Sequence, residues 1–409
     1  MKISCLKKYA ALIACAGAHV QSGDEVVITA ELDQPQFVEY VAEACYRLGA
    51  KKVTVEFAHQ PLQKLHVRYR SVETLSSVED WEIAKLEHYI QILPVRIYLV
   101  SEDPDGLCGM DREKYAKGAQ GRYKVLKPLH DRMDNRYKWC IAAVPGRKWA
   151  KKVFPGLRAG AAEEKLWEAI LHASRADGAD PAADWEAHDR ALARRCAYLN
   201  SLEIESLRYS SSNGTDFTVG MIPDALFCGG GEHTLGGEFF NPNIPTEEVF
   251  TSPMRGQAEG IVYATKPLSY NGQLIENFWI RFSQGKATQV HAEKNQSLLE
   301  TMISMDEGAA YLGEVALVPH SSPVGQLGFL FYNTLFDENA ACHLAFGEGF
   351  ANTIRNYGAR TLEECRAMGV NTSMIHEDFM IGAPDLCITA SLRGGGTAPI
   401  FRDGEWAFE

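Results

Sequence analysis

The chain of 409 residues is longer than one hydrophobic core usually supports, so the sequence predicts two domains. Hydrophobic residues make up 46% of it and charged residues 23%, which is the composition of a folded globular protein and excludes a disordered one. Its formal net charge of -12 gives no electrostatic reason to bind nucleic acid or an anionic membrane surface.

The first residues imitate a short secretory signal. Lys2, Lys7 and Lys8 precede the apolar run 10–16, which ends in Ala-Cys-Ala. The run is short, rich in alanine and continues into a strand-like segment, so we predict an amphipathic first helix instead. No apolar stretch approaches the ~20 residues that a membrane-spanning helix needs. We therefore expect no membrane partner.

The ten cysteines are scattered without any C-x-x-C spacing, which argues against a zinc ribbon or a thioredoxin-like redox pair. In a chain of this length we expect free thiols rather than disulfides. Free thiols are typical of a reducing compartment, so we expect a cytoplasmic protein.

Strands alternate with helices up to about residue 200. The hydrophobic pattern predicts strands at 25–30, 52–57, 95–100 and 139–144, separated by helices at 34–48, 61–93 and 111–134 and followed by charged helices at 160–200. Such alternation is typical of βαβ units, so residues 1–200 are predicted to form an α/β domain with a mostly parallel sheet. Neither a G-x-G-x-x-G after the first strand nor a phosphate-binding P-loop is present, so we expect no nucleotide cofactor.

Beyond residue 200 the pattern changes to strands and glycines. Segments 202–209 and 217–222, joined by Asn213-Gly214, predict a β-hairpin whose Asn-Gly supplies the positive-φ turn. Further strands are predicted at 259–266, 275–282, 286–292 and, as the last one, 385–391, with a helix near 295–305. Residues 201–409 are therefore predicted to form an α+β domain rich in antiparallel strands, which we expect to be the catalytic one.

Two segments of this half place carboxylates in unusual surroundings. Segment 243–253 (NIPTEEVFTSP) holds Glu247 and Glu248 between two prolines, which favours a rigid loop over a solvated helix face. In segment 313–319 (GEVALVP), Glu314 begins an apolar strand, where it either faces water or is pushed into a cleft that raises its pKa. Taken alone, each carboxylate is more typical of a surface than of a site.

Two later segments add the imidazoles. In segment 335–347 (LFDENAACHLAFG), Glu338 and His343 are five residues apart, which does not stack them on one helix face; the acidic residues there are also typical of a helix N-terminal cap. In segment 376–382 (HEDFMIG), His376 and Asp378 project to the same side of an extended chain and can approach one cation. Carboxylates and imidazoles together can hold a pair of Zn²⁺, Co²⁺ or Mn²⁺ ions.

In this order, the four segments resemble the M29 family of metallo-aminopeptidases, the aminopeptidase T and aminopeptidase S group, and the likeness extends over the whole chain. The resemblance implies two divalent metal ions as cofactors, short peptides with a free N-terminus as substrates, and a homodimer. It implies that the metal ligands are Glu248, Glu314, Glu338, His343, His376 and Asp378. It also implies that Glu314 is the general base of a reaction that releases N-terminal amino acids.

One position departs from the family. The family usually carries a tyrosine seven residues after the histidine of the third segment, and this chain has Phe350 there. Phenylalanine lacks the hydroxyl, which removes a hydrogen-bond donor worth ~2 to 4 kcal/mol to the transition state. Two alternatives to an active aminopeptidase stay open: a metal-binding homologue with impaired catalysis, motivated by Phe350, and a nucleotide- or sugar-binding α/β protein that uses the N-terminal sheet.

Overall fold

The computed structural model describes residues 1–270 and 272–409. In these ranges the α-helices, numbered α1 to α13 in chain order, are Ile3–Leu12, Pro35–Arg47, Gln60–Tyr69, Val72–Ser76, Asp80–Ile92, Arg112–Asp131, Arg147–Val153, Ala159–Ala173, Pro181–Ser201, Gln296–Ile303, Pro323–Gln326, Thr334–Asp337 and Leu362–Ala367. The strands, β1 to β20, are Glu25–Glu31, Lys52–Ala58, Val95–Val100, Trp139–Ala143, Ile204–Ser210, Asp216–Met221, Glu232–His233, Phe239–Phe240, Asn243–Ile244, Val249–Thr251, Pro253–Tyr263, Leu268–Tyr270, Gln273–Ser283, Lys286–Lys294, Leu312–Leu317, His343–Gly347, His376–Met380, Cys387–Leu392, Thr397–Arg402 and Glu405–Trp406.

The described residues divide into two compact units. The first comprises Met1–Glu186 and Gly231–Ile244, and the second comprises Ala187–Gly230 and Pro245–Glu409. The return of a short segment to the first unit depends on long-range strand pairing, which local sequence patterns do not reveal. The predicted boundary at residue 200 concerns domains that fold independently. Compactness does not measure independent folding, so this boundary stays a prediction.

A parallel sheet forms the centre of the first unit, with the strand order β2-β1-β3-β4-β9. Its strands are separated along the chain by helices, as predicted. Helix α2 has Pro35 in its first turn, where the missing N–H costs nothing, and the chain turns away at Gly49 with a φ of 94°. The predicted α/β fold class with a mostly parallel sheet is confirmed.

The apolar N-terminal run belongs to the core of this unit. Helix α1 continues into a π-helical turn at Ile13–Gly17, and together they bury Tyr9, Ala10 and Leu12. The Tyr9 ring lies 5.6 Å from that of Phe37 in α2. The predicted amphipathic helix is thus confirmed. Among the described residues, no helix is both long and apolar enough to span a membrane.

All ten cysteines lie in the described part of the chain, and none forms a disulfide. The prediction of free thiols is confirmed. Several are buried, and burial raises the pKa of the Cys45 thiol to about 12, so that this side chain packs as a small apolar group.

Two antiparallel sheets build the second unit. The larger has the order β12-β13-β11-β6-β5-β18-β19-β20, with β14 paired to β13, and the smaller has the order β10-β15-β16-β17. The predicted hairpin is β5 and β6, and Gly214 in its turn has a φ of 103°. The predicted α+β class rich in antiparallel strands is confirmed.

One detail of this prediction was wrong. The strand expected at 385–391 corresponds to β18, but it is not the last, because the glycine run 394–396 turns the chain back into β19 and then β20. Gly395 and Gly396 both have positive φ there, so the run serves as a tight turn between paired strands.

An apolar core lies between the two sheets of the second unit. Phe346 of β16 stacks on Phe282 of β13 with ring centroids 5.9 Å apart, and Phe379 of β17 lies 6.0 Å from Phe278 of β13. One face of the smaller sheet therefore packs against the larger sheet.

Candidate metal centre

The smaller sheet turns one face to the core and carries most of the predicted ligands on the other. Residues that pair across antiparallel strands share a face, as do alternate residues along one strand. Glu314 in β15 pairs with Ala345 in β16, which pairs with Asp378 in β17. His343 lies two residues before Ala345, and His376 lies two before Asp378. Four of the six predicted ligands therefore lie on one face.

Glu248 joins this face from the edge strand. It directly precedes β10, and Phe250, two residues further on, pairs with Ala316 of β15. The other residues of the central strands on this face are small, namely Ala316, Ala345 and Gly347. Their size leaves space above the sheet in which longer side chains can converge.

The ligand atoms come close together. Nε2 of His343 lies 3.2 Å from Oε2 of Glu248. Nε2 of His376 lies 3.1 Å from Oε2 of Glu314 and 3.4 Å from Oδ1 of Asp378. Two groups have possible ligand atoms all within 4.8 Å of one another: Glu248 with Glu314 and His343, and Glu314 with His376 and Asp378. Glu314 belongs to both groups.

Both imidazoles are held by their second nitrogen. Nδ1 of His376 lies 2.7 Å from the carbonyl oxygen of Glu348, and Nδ1 of His343 lies 3.2 Å from that of Ala341. A carbonyl only accepts, so each Nδ1 carries the proton and donates it. Each Nε2 then points at the carboxylates, and on metal binding it would give up its proton and offer its lone pair to the ion, as metal-ligating histidines do.

Glu338 lies in neither close group. It begins the 3₁₀ turn Glu338–Ala340 after α12. Burial raises the pKa of its carboxyl well above the usual value, and repulsion by the nearby carboxylates of Glu248 and Asp378 raises it further. The structure thus brings five predicted ligands together and places the sixth beside them.

The acidic residues around Glu338 do not have the helix-capping role that their sequence also suggested. The acidic residues do not cap the start of a helix, because the 3₁₀ turn leads into strand β16. Asp337 instead ends α12, and its carboxylate accepts from the N–H groups of Phe331 and Asn333 at 2.7 and 3.0 Å. It closes the loop that precedes the ligand segment.

Glu247 and Glu248 have different surroundings. Both are buried, and Glu248 contacts the predicted ligand His343. The carboxylate of Glu247 lies 3.9 Å from Nε2 of His188, a nitrogen that is also 2.7 Å from the carbonyl oxygen of Thr246. The geometry therefore distinguishes the two glutamates in the direction that the family resemblance implied.

Burial and mutual repulsion shift the pKa values of the cluster. Burial raises the pKa of Glu314 to about 7; the His376 imidazole lowers it, and the charges of Glu248 and Asp378 raise it again. Burial alone would lower the pKa of His343, but its hydrogen bond to Glu248 and the surrounding carboxylates raise it to about 10. The raised pKa of His343 is the direction expected where buried carboxylates favour positive charge.

These residues fit a pair of divalent cations. Oδ1 of Asp378 is buried and accepts no hydrogen bond from any described residue. A buried acceptor of this kind is normally satisfied, and a bound cation would satisfy it. Four carboxylates balance the charge of two divalent ions. Carboxylate oxygens with two imidazole nitrogens are donors that Zn²⁺, Co²⁺ and Mn²⁺ all accept.

Phe350 lies beside the cluster. Its ring centroid is 4.8 Å from that of His376 and 5.6 Å from that of Phe250. The Phe350 N–H donates to Oγ of Ser252 at 2.8 Å, which fixes the backbone of this position. A tyrosine hydroxyl at residue 350 would therefore extend from a ring already in contact with a predicted ligand.

Sequence reasoning missed the residues behind the ligands. Neither Asn339 nor His188 was predicted as a residue of the site. Asn339 stands next to Glu338 in the third segment, which is a weak signal, whereas nothing local marks His188, which lies 58 residues before Thr246.

Comparison with known proteins gives matches over almost the whole chain. The sequence model of the thermophilic metalloproteases (M29) matches residues 3–406. Aminopeptidase T of Thermus thermophilus is 38% identical over 402 residues, which cover 98% of each chain. Aminopeptidase AmpS of Bacillus subtilis is 38% identical over 404 residues, with the same coverage. The solved structure of wild-type AmpT from Thermus thermophilus matches with a TM-score of 0.91 at 36% identity and covers 99% of each chain.

Proposed function

Because the chain belongs to the thermophilic metalloprotease (M29) family, we propose that it is a metal-dependent aminopeptidase that releases N-terminal amino acids from short peptides. As a member of this family it is a hydrolase acting on peptide bonds. The observation that supports the finer proposal is the convergence of carboxylates and Nε2 atoms on one sheet face. The proposed ligands are Glu248, Glu314, Glu338, His343, His376 and Asp378, which would hold two divalent ions.

When bound, the pair of cations would polarise the scissile carbonyl and lower the pKa of the attacking water. Glu314 accepts the proton of that water and transfers it to the leaving amine. A carboxylate of the cluster holds the free α-amine of the substrate, which orients the first peptide bond and accounts for removal from the N-terminus.

Two roles meet in Glu314. It belongs to both close groups, as a shared ligand would, and it is also the proposed base. A carboxylate has two oxygens, so one would serve the cations while the other accepts a proton. Its buried position between two groups suits this division.

Glu314→Gln tests the base, because the amide keeps an oxygen ligand and loses the proton acceptor. We expect kcat to fall by about 10² to 10⁴-fold, the usual contribution of general acid–base catalysis. Glu338→Gln is the matched control, since it makes the same change at the carboxylate outside both groups. Substantial peptidase activity in Glu314→Gln with metals still bound would disprove the base, and a larger loss in Glu338→Gln would transfer the role to Glu338.

The alternative, a metal-binding homologue with impaired catalysis, is favoured by one observation: Phe350 presents no hydroxyl beside His376. Amino acid release from a panel of dipeptides, measured with and without added Co²⁺, Zn²⁺ or Mn²⁺, separates the two. Metal-stimulated release supports the aminopeptidase. Metal binding without release supports the alternative.

A nucleotide-binding role of the parallel sheet has little support. Ligands bind such sheets at the carboxyl ends of the strands, beside the point where the strand order reverses. Glu31 ends β1, and Asp33 and Glu102 follow β1 and β3. Burial raises the pKa of Glu31, and repulsion by Glu102 and Asp33 adds to the shift. Carboxylates repel phosphates, so we expect no thermal shift with nucleotides.

We also propose that the protein works as a homodimer in the cytoplasm. The family resemblance supports the dimer, and the ten free cysteines support a reducing compartment. Light scattering after size exclusion measures the mass directly, and a single 45.3 kDa species would disprove the dimer.

A further inference from the structure

We propose that Asn339 is a positioning residue of the metal centre, whose side-chain amide fixes Glu338 and the segment of Glu248 at the same time. This inference rests on the proposed function, because it concerns how two proposed ligands are held. Asn339 need not touch a metal ion or substrate for this role.

Asn339 is fully buried, and both ends of its amide contact ligand segments. Its Oδ1 accepts from the Glu247 N–H at 2.7 Å. Its Nδ2 donates to the Leu335 carbonyl at 2.8 Å and lies 3.4 Å from Oε1 of Glu338. The Glu247 N–H belongs to the residue directly before Glu248, so one side chain ties together two ligands that are 90 residues apart in the sequence.

The orientation of this amide is determined by its partners. A flipped amide would direct its NH₂ at the Glu247 N–H and its oxygen at the Leu335 carbonyl, so two favourable contacts would become repulsive. The backbone is fixed as well, because Oγ of Ser322 donates to the Asn339 carbonyl at 2.6 Å. Ser322 and Asn339 are both fully buried.

The two halves of the centre depend on Asn339 to different degrees. Glu314, His376 and Asp378 lie on strands β15 and β17, where ladder hydrogen bonds hold the backbone. Glu248 lies in a loop and Glu338 in a short 3₁₀ turn, so neither is held by strand pairing. Only these two ligands need another side chain to fix their backbone, so loss of Asn339 should weaken the binding of one ion and spare the other.

Asn339→Asp is the sharpest variant, because it keeps the size of the side chain and the acceptor for Glu247. It replaces the donor by an oxygen that faces the Leu335 carbonyl and the Glu338 carboxylate. Apo protein is titrated with Zn²⁺ and with Co²⁺ in the presence of a competing chelator. We expect wild type to bind two equivalents, and the variant to bind one ion normally and the other about 10 to 100-fold more weakly, as for residues that orient ligands.

Asn241→Asp is the matched control. Asn241 is buried too, and its Nδ2 donates to the Ala16 carbonyl at 3.0 Å in the first compact unit. It reports the cost of placing an aspartate at a buried asparagine, and we expect it to keep wild-type affinity for both ions.

Selective weakening of one ion in Asn339→Asp supports the inference. Unchanged affinity for both ions, or equal weakening of both, overturns it while leaving the proposed function intact. Wild-type protein that binds no second ion overturns the two-metal proposal and this inference with it. If Asn339→Asp does not fold, Ser322→Ala removes the support of the Asn339 carbonyl; weakening of one ion then supports the inference, and two unchanged affinities overturn it.

Discussion

Each compact unit contains a concentration of carboxylates, and the two concentrations have different partners. In the first unit they lie at and just beyond the carboxyl ends of strands β1 and β3 and comprise Glu31, Asp33, Glu102, Asp103 and Asp105. Hydroxyl and ammonium groups accompany them: Ser101 donates to Asp33 at 2.8 Å, and Lys152 lies 2.9 Å from Asp105. The protein itself supplies donors and positive charge there.

In the second unit the carboxylates face one another and two imidazoles. In the described part of the chain, no lysine or arginine forms an ion pair with Glu248, Glu314, Glu338 or Asp378. Carboxylate density alone therefore does not mark a metal site. In the described part of the chain, the second cluster differs because imidazole Nε2 atoms, and not lysine or arginine, face its carboxylates.

The largest effect is expected from His376→Ala. It removes the only imidazole of one ligand group, so we expect the affinity for one ion to fall by more than about 100-fold, beyond the loss caused by residues behind ligands. Metal content of the purified protein measures this. Asp33→Asn makes a carboxylate change in the other cluster and should leave the metal content unchanged; a loss there would show that the two clusters do not differ as described.

Phe350→Tyr comes next and tests the apolar side of the second cluster. The new hydroxyl extends from a ring 4.8 Å from His376. We expect kcat for a dipeptide to rise by up to about 100-fold, the lower end of the effect of one oxyanion donor. Phe350→Leu, which removes the ring without adding a donor, should not raise kcat. An unchanged kcat in Phe350→Tyr would mean that the donor is supplied elsewhere.

Removal of metal should destabilise the protein, because among the described residues no lysine or arginine pairs with the carboxylates of the second cluster. An ion at a hundredfold excess over its Kd stabilises the folded state by about 2.7 kcal/mol. At about 2 to 4 °C per kcal/mol, a chelator should lower Tm by roughly 5 to 10 °C. Thermal unfolding with and without chelator measures this, and the difference should shrink in His376→Ala but not in Asp33→Asn.

The smallest effect concerns a carboxylate fully satisfied by the protein. Hydrogen bonds from the hydroxyls of Ser212 and Ser211 and from the Ser212 N–H lower the pKa of Asp385 to about 2. A lowered folded-state pKa stabilises the protein above the unfolded value of about 3.9, and this contribution is lost as the pH falls toward 2. The Tm difference between wild type and Asp385→Asn should therefore be smaller at pH 3 than at pH 7; an equal difference would exclude this linkage.

Much of the fold could be predicted from local patterns, because strand composition and turn residues act locally. The Asn213-Gly214 hairpin and the strand that became β1 are examples. The strands after residue 391 were missed because they are short and follow a glycine run. The path of residues 231–244 depends on pairing between β4 and β9, about 100 residues apart.

The candidate site was only partly predictable, for a related reason. His376 and Asp378 share a face through strand geometry alone, which their spacing reveals. The approach of Glu248 to His343 depends on the register of three strands, β10, β15 and β16, and the Asn339 contact joins positions 92 residues apart. No local pattern encodes such contacts, so the family resemblance was needed to unite the residues.

Ala345 carries a consequence for the mutational tolerance of this chain. Its methyl group lies between Glu314 and Asp378 on the face where the carboxylates meet, and it is completely buried. Gly347, two residues on, has a φ of 98°, and a Cβ there would lie 2.0 Å from the Ile375 carbonyl oxygen. In a library of all single substitutions, these two positions would tolerate almost nothing, although neither carries a functional group. A larger residue would fill the space between the ligands at position 345 and would displace the Ile375 backbone at position 347, so either change should disrupt the site as much as loss of a ligand.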